Sequence, residues 1–175
     1  MSLYFIAVEP HSELTDKIRL IQKDFAERFL SSKSYRNFPH ITIIPPFSCQ
    51  DDQERGLISK FMKIPLSTEK FTVHLDGFGS FPNFKSPAIF IKPENDSELT
   101  GIFNEINSAM KSFDYHDSKF RPHLTVAYRD LSPENYRKSW QEYQKKSFRD
   151  SFVVSAVNLY KHDGRKWNKI ASKFL

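Results

Sequence analysis

The feature that most constrains this chain is a phrase that occurs twice. Pro39-His40-Ile41-Thr42 and Pro122-His123-Leu124-Thr125 each read Pro, His, one apolar residue, Thr, and then further apolar residues. The copies lie 83 residues apart, and so do Pro10 and Pro93, which close the strand-like runs Leu3 to Val8 and Ala88 to Ile91. A fixed internal offset marks duplicated architecture. In a strand, side chains alternate between faces, so the His and Thr of each copy share one face and the residue between them turns to the core.

The rest of the chain falls into the same order on both sides. Leu3 to Val8 reads as a buried strand. Ser12 is a plausible N-cap, and Leu14, Ile18, Ile21, Phe25 and Phe29 recur at helical spacing, predicting an amphipathic helix over 12–31. The first His-x-Thr strand runs from about Pro39 to Ile44, where Pro45-Pro46 should stop it. A helix from Asp51 or Asp52 to about Met62 and a strand over 71–76 follow. Gly77, Gly79 and Pro82 then read as a loop carrying Phe78, Phe81 and Phe84.

The second round has a strand at Ala88 to Ile91 and a helix capped by Asp96 or Ser97, with Leu99, Ile102, Phe103, Ile106 and Met110 on one face. The second His-x-Thr strand runs from His123 to Tyr128. Ser132-Pro133-Glu134 starts a helix to about Lys145. Phe152 to Tyr160 reads as one strand, His162-Asp163-Gly164 as a hairpin turn, and Lys166 to Phe174 as the last strand. Strands with covering helices, duplicated, predict an α+β fold. A pseudo-two-fold axis would bring both histidines to one central cleft, between lobes of roughly 1–84 and 85–175, not strictly separated, within a single domain.

Composition narrows the function classes. A charged fraction of 27% and a hydrophobic fraction of 39% describe an ordinary globular protein. Seventeen Phe and seven Tyr are chiefly core. A net charge of +5 leans only weakly toward an anionic partner. With Cys49 alone, no intrachain disulfide and no cysteine-based metal site can form, which fits a reducing cytoplasm. The N-terminal residues show no signal-peptide pattern, and no run approaches the roughly 18 apolar residues of a membrane span.

One His-x-Thr is a weak signal. Two, at equivalent places, supply two imidazoles that can act as general acid and general base, and two hydroxyls that can bind phosphoryl oxygens. This set suits displacement at a phosphodiester and asks for no metal or other cofactor. No Walker loop, G-x-G-x-x-G or His-Glu-x-x-His motif is present.

Both motifs, their spacing and the order of elements around them resemble the 2H phosphoesterase superfamily. Within it the chain is similar to the 2'-5' RNA ligase and RNA 2',3'-cyclic phosphodiesterase group. The resemblance covers nearly the whole chain. It implies two lobes with antiparallel sheets around a cleft, and helices outside. It implies hydrolysis of 2',3'-cyclic phosphates to 2'-phosphates, with reversible 2'-5' joining of RNA ends in some members. By the same resemblance His40 is the proton donor and His123 the acceptor, with Thr42 and Thr125 beside them. The expected partners are RNA ends or cyclic-phosphate nucleotides, met by a monomer without a membrane.

Many RNA-processing members carry Ala-Arg after the second motif; here Ala127 is followed by Tyr128 and then Arg129, and the first motif runs into Pro45-Pro46-Phe47. Tyr128 and Phe47 are candidate base-stacking residues, with plain packing an equal reading of Tyr128 and the favoured one of Phe47, and Arg121 is the basic residue to watch. Arg129, Lys161 and Arg165 are further cations that could meet phosphate, although a solvated surface charge is the plainer reading of each. His11, His74, His116 and His162 lack the Thr partner and are assigned to surface or packing. The departures leave room for a small cyclic-phosphate metabolite as substrate, or for an RNA-binding module without turnover.

Overall fold

The repeated order of elements resolves into a single antiparallel sheet. The computed structural model describes residues 1–94, 97–113, 115 and 119–175, so the candidate cap Asp96 and His116 lie outside the described residues. The elements are β1 (Ser2–Val8), α1 (Ser12–Arg28), β2 (Ile41–Cys49), α2 (Glu54–Lys63), β3 (Phe71–Phe81), β4 (Ala88–Pro93) and α3 (Ser97–Met110). They continue with β5 (Leu124–Ala127), α4 (Pro133–Tyr143), β6 (Arg149–Val154), β7 (Ala156–His162) and β8 (Trp167–Phe174). The strand order is β6-β3-β4-β5-β2-β1-β7-β8. Every neighbouring pair is antiparallel.

The fold is therefore α+β, as the pattern predicts, but the two sheet halves are fused and exchange strands. One half is β6-β3-β4-β5 and the other β2-β1-β7-β8, so a cut between residues 84 and 85 does not separate them. β3 comes from the first repeat yet builds the second half-sheet, while β7 and β8 complete the first. The halves meet in the middle of the sheet, where β2 pairs with β5 through Ile41 and Leu124.

Residues 152–160, expected as one strand, are shared between the two ends of the sheet. β6 pairs with β3, β7 pairs with β1 and β8, and Ser155 alone separates β6 from β7. A one-residue link between the edge strand of one half and an inner strand of the other can be met only if the sheet curls back on itself. That curl leaves one face convex and helix-covered and the other concave.

The helices cover the sheet crosswise: α1 packs on β5 and β6, α3 on β2, α2 on β8 and α4 on β4. Leu14, Ile18 and Phe25 of α1 and Leu99, Ile102, Ile106 and Met110 of α3 are fully buried. Burial of one such side chain contributes about 1.5–3 kcal/mol. The fourth buried residue of α1 is Gln22, not the expected Ile21. α1 is capped by His11, whose Nδ1 accepts from the Leu14 N–H at 3.3 Å, one residue before the expected Ser12. α4 starts as predicted, with Ser132 accepting from the Asn135 N–H and Pro133 in the first turn. No helix among the described residues is long and apolar enough to cross a membrane.

Two stop signals do not stop their strands. β2 continues through Pro45 and Pro46 to Cys49. The register runs Tyr4↔Phe47 and then Ile6↔Ile44, so the two prolines oppose Phe5 alone in a bulge, where missing N–H groups are tolerated. β3 likewise continues through Gly77 and Gly79 to Phe81, with Gly77 at φ 64° in the register shift between Leu75 and Phe78. Phe78 and Phe81 are thus strand residues; Phe84 alone of the three lies in the following loop, exposed.

Phe47 is corrected as well. Because β2 extends past the prolines, Phe47 points into the core at 1% exposure, stacked on Tyr4 and packed against Phe113 and Tyr115. It has no face for a substrate base. Phe47→Ala is expected to cost about 3–5 kcal/mol of unfolding free energy by denaturant titration. A cost below about 1 kcal/mol would return Phe47 to the surface.

Candidate active site

The Ile41–Leu124 pair builds the site. Both side chains are fully buried on the helix-covered face. In an antiparallel pair, one residue further on either side sets His40 against Thr125 and Thr42 against His123, all four on the opposite, concave face. Each histidine therefore stands beside the threonine of the other copy. All four side chains line one cavity of about 210 Å³.

The two imidazoles are held in the same way. His40 Nδ1 lies 2.8 Å from the Phe38 carbonyl oxygen, and His123 Nδ1 lies 2.7 Å from the Arg121 carbonyl oxygen. A carbonyl only accepts, so each Nδ1 carries the proton and donates, leaving Nε2 as the free basic nitrogen of the neutral ring. The proline between carbonyl and histidine in each copy presets the backbone φ of this short return.

Each imidazole is also packed between two phenylalanines. His40 sits 4.9 Å from Phe38 and 5.0 Å from Phe5 between ring centres; His123 sits 5.0 Å from Phe81 and 5.3 Å from Phe90. Gly79 makes the second arrangement possible. It pairs with Phe90 across β3 and β4, and a Cβ there would come within 2.5 Å of the Phe90 ring. Desolvation by these walls lowers the pKa of both histidines, that of His40 to about 4, against the opposing pull of the backbone acceptor. The nearby His123 depresses His40 further. Both rings are therefore neutral at pH 7.

A second cavity, about 420 Å³, adjoins the first; Thr42 and His123 line both. It carries the stacked pair Phe103 and Phe120, with ring centres 4.4 Å apart, and the cations Lys119 and Arg121. The candidate residues thus divide. Tyr128 and Arg129 line the smaller cavity and Arg121 the larger. Phe47, Lys161 and Arg165 line neither. Lys161 is paired with Glu54 at 2.5 Å, and Arg165 is exposed in the β7–β8 turn. His11 caps α1, His74 is exposed on β3, and His162 packs on Trp167.

Several lining residues have no motif to announce them. Phe5, Phe38 and Trp167 form the aromatic wall of the smaller cavity, and Gln22, Ser34 and Asn37 its polar part. Gln22 did leave a trace: it occupies the core stripe of α1, where an apolar residue belongs. Asp130 left none. Its carboxylate accepts from the Ser31 and Ser32 hydroxyls and from the Ser32 and Lys33 backbone N–H groups, at 2.9 to 3.3 Å. It ties the 31–37 segment, which carries Ser34 and Asn37, to the end of β5. Beside it, Arg129 is held at φ 61°, a left-handed conformation that costs a non-glycine residue of order 1 kcal/mol or more.

Comparison with known proteins gives a consistent picture. Residues 7–166 match the family model described as the 2'-5' RNA ligase superfamily. A Bacillus anthracis protein with a provisional phosphoesterase name is 30% identical over 121 residues, which span 69% of this chain and 66% of that protein. A Bacillus cereus relative with the same kind of name is 28% identical over the same length. Among solved structures, Thermus thermophilus TT0787 superposes with a TM-score of 0.72 at 16% identity, covering 100% of this chain and 98% of that one. Escherichia coli LigT, crystallised with 3'-AMP, superposes with a TM-score of 0.68 at 18% identity, covering 99% and 98%. LigT has also been crystallised with NADP+, ATP and phosphate.

The Asp130 tie can be tested by itself. Asp130→Ala is expected to lower stability by about 1–3 kcal/mol. It should also speed amide hydrogen exchange at Ser32 and Lys33, with little change in helices α2 and α3. Unchanged exchange at those two amides would mean that the tie does not order the segment.

Proposed function

The chain belongs to the 2'-5' RNA ligase superfamily, a group of 2H phosphoesterases, and from that premise we propose that it is a metal-independent phosphodiesterase acting on 2',3'-cyclic phosphates of RNA ends or nucleotides. The observation that carries the reading is the Ile41–Leu124 pairing, which gathers two imidazoles and two threonine hydroxyls on one cavity wall.

In the proposed reaction the phosphate sits between the two rings, its non-bridging oxygens hydrogen-bonded by Thr42 and Thr125. Water attacks phosphorus while His123 Nε2 takes one of its protons. The new P–O bond forms as the P–O3' bond breaks, and His40 Nε2–H gives its proton to the departing O3', leaving a 2'-phosphate. The hydroxyls meet the charge that grows on the phosphoryl oxygens in the transition state. Run in the same direction with a 5'-hydroxyl in the place of water, the same groups would join 2'-5' ends.

Burial favours the neutral form of His40, yet an acid must be charged. The anionic phosphate resolves this, because an opposite charge within a few ångströms favours imidazolium. Substrate thus charges its own acid. The buried lone thiol of Cys49 suits action in the reducing cytoplasm.

The first test is hydrolysis of a 2',3'-cyclic nucleotide with EDTA present. His40→Ala and His123→Ala should each reduce kcat at least about 10²-fold. A requirement for added metal, or activity that survives loss of both rings, would refute the mechanism. A nitrophenyl diester, whose leaving group needs no proton, should rescue His40→Ala but not His123→Ala; the opposite pattern would exchange the two roles.

The second test is the pH dependence. The free protein needs one ring protonated and one neutral, and both pKa values lie below 6.5, that of His40 at about 4. kcat/KM should therefore peak between about pH 4 and pH 6.5 and fall roughly tenfold per pH unit on the alkaline side. The kcat optimum should lie at higher pH, since bound anion raises the acid's pKa. A kcat/KM optimum above pH 7 would contradict desolvated imidazoles.

A further inference from the structure

Two residues that line the smaller cavity each carry a buried side-chain oxygen without a hydrogen-bond partner. Among the described residues, three buried side-chain oxygens lack a hydrogen-bond partner: Gln22 Oε1, Ser34 Oγ and Glu105 Oε2. Glu105 lines neither cavity, and its other oxygen is held by Ser67. Gln22 and Ser34 both line the cavity that holds the two histidines, and each is only 2% exposed. A buried oxygen left unpaired costs about 1–3 kcal/mol, so two in one cavity beside the reacting centre call for an explanation.

The framework around them is fixed. Gln22 Nε2 donates to the Thr125 carbonyl oxygen at 3.3 Å, which anchors the amide beneath β5 and leaves Oε1 as its unpaired end. Ser34 belongs to the segment tied down by Asp130, and its hydroxyl can turn about one torsion. Phe5, Phe38 and Trp167 wall the same space, and about 210 Å³ admits one planar ring beside a phosphate. Gln22 Oε1 can only accept, and Ser34 Oγ can accept as well. A single amino group carries two N–H bonds and can serve both.

We infer that Gln22 and Ser34 are specificity-determining residues that receive an exocyclic amino group on a planar ring of the substrate, as an amino-bearing nucleobase presents. The inference rests on the phosphodiesterase reading for the position of the phosphate. It goes beyond that reading in naming which substituent the cavity selects and which residues select it. Ring and phosphate are then bound as one unit, the phosphate on the paired motifs and the amino edge on α1 and the 31–37 segment. A ring without the amino group leaves both oxygens buried and unpaired, and a site built to hydrogen-bond a group rejects the analogue that lacks it.

The test compares adenosine with purine riboside, which differs only by the missing amino group. Calorimetry with the two 2'-monophosphates reads binding without turnover, and kcat/KM for the two 2',3'-cyclic phosphates reads turnover. The wild type should favour the adenosine compound about tenfold or more in both. Ser34→Ala, which leaves the Gln22–Thr125 bond intact, and Gln22→Met should each bring the ratio toward one, mainly by weakening the adenosine compound. A role confined to structure would slow both substrates alike and leave the ratio unchanged, which overturns the inference. Equal handling by the wild type also overturns it, since the pair would then hold only water. Hydrolysis without discrimination sinks this inference and spares the phosphodiesterase reading. Discrimination in binding without any hydrolysis does the reverse.

Discussion

The pairing of Ile41 with Leu124 is the joint on which the molecule depends. It couples the two halves of the sheet at their meeting point, and both side chains are fully buried. Because strand side chains alternate, burying these two turns their four neighbours to the concave face. A slip of one residue would bury the histidines and expose the isoleucine and leucine. The helices guard against that slip. α1 leaves the first motif's half of the sheet and packs on β5, and α3 leaves the second's and packs on β2. Each motif strand is backed by the other repeat's helix, so neither half can settle its register alone.

That joint explains why the imidazoles are dry. The strands that flank β2 and β5 supply a phenylalanine each, Phe5 from β1 and Phe90 from β4, and a second comes from nearby chain, Phe38 and Phe81. The aromatic richness of the chain is thus only partly core. Four rings sit on the concave face and act on the protonation of two histidines. The arrangement stores free energy at the cleft, in depressed imidazoles, unpaired oxygens and the left-handed Arg129, and the large buried core on the other face of the sheet offsets it.

Much of this was legible in the sequence, for a physical reason. Register with period two and an 83-residue offset are properties of local chain order, so the α+β class, the element order and the four motif residues could be read directly. What could not be read depends on long-range pairing. Pro45-Pro46 stops a strand unless a bulge places it opposite a single residue, and Phe5 provides that bulge from 40 residues away. The exchange of strands between the halves follows from the curl at Ser155, and no residue pattern encodes it. The base-stacking reading of Phe47 fails for the same reason, since only a strand that ends at Ile44 places it on the rim. Trp167 and Asn37 reach the cavity from segments whose own sequence gives no sign of it.

Duplication alone would produce a symmetric site, and the centre is indeed close to symmetric: histidine opposite threonine, twice, each ring bonded to the carbonyl two residues back and wedged between two phenylalanines. The flanks are not symmetric. On the His40 side the cavity is small and carries Gln22, Ser34 and Trp167; on the His123 side it is larger and carries Lys119, Arg121 and a stacked phenylalanine pair. The proposed phosphodiester chemistry would account for the difference. A phosphodiester presents two nearly equivalent non-bridging oxygens and two bridging ones, so a two-fold pair of donors fits it. The groups attached to phosphorus differ from each other, and nothing constrains the surrounding residues to match. On the proposed reaction the repeated phrase would match the part of the substrate that is itself nearly symmetric, and substrate discrimination would fall to the residues where the two repeats have diverged.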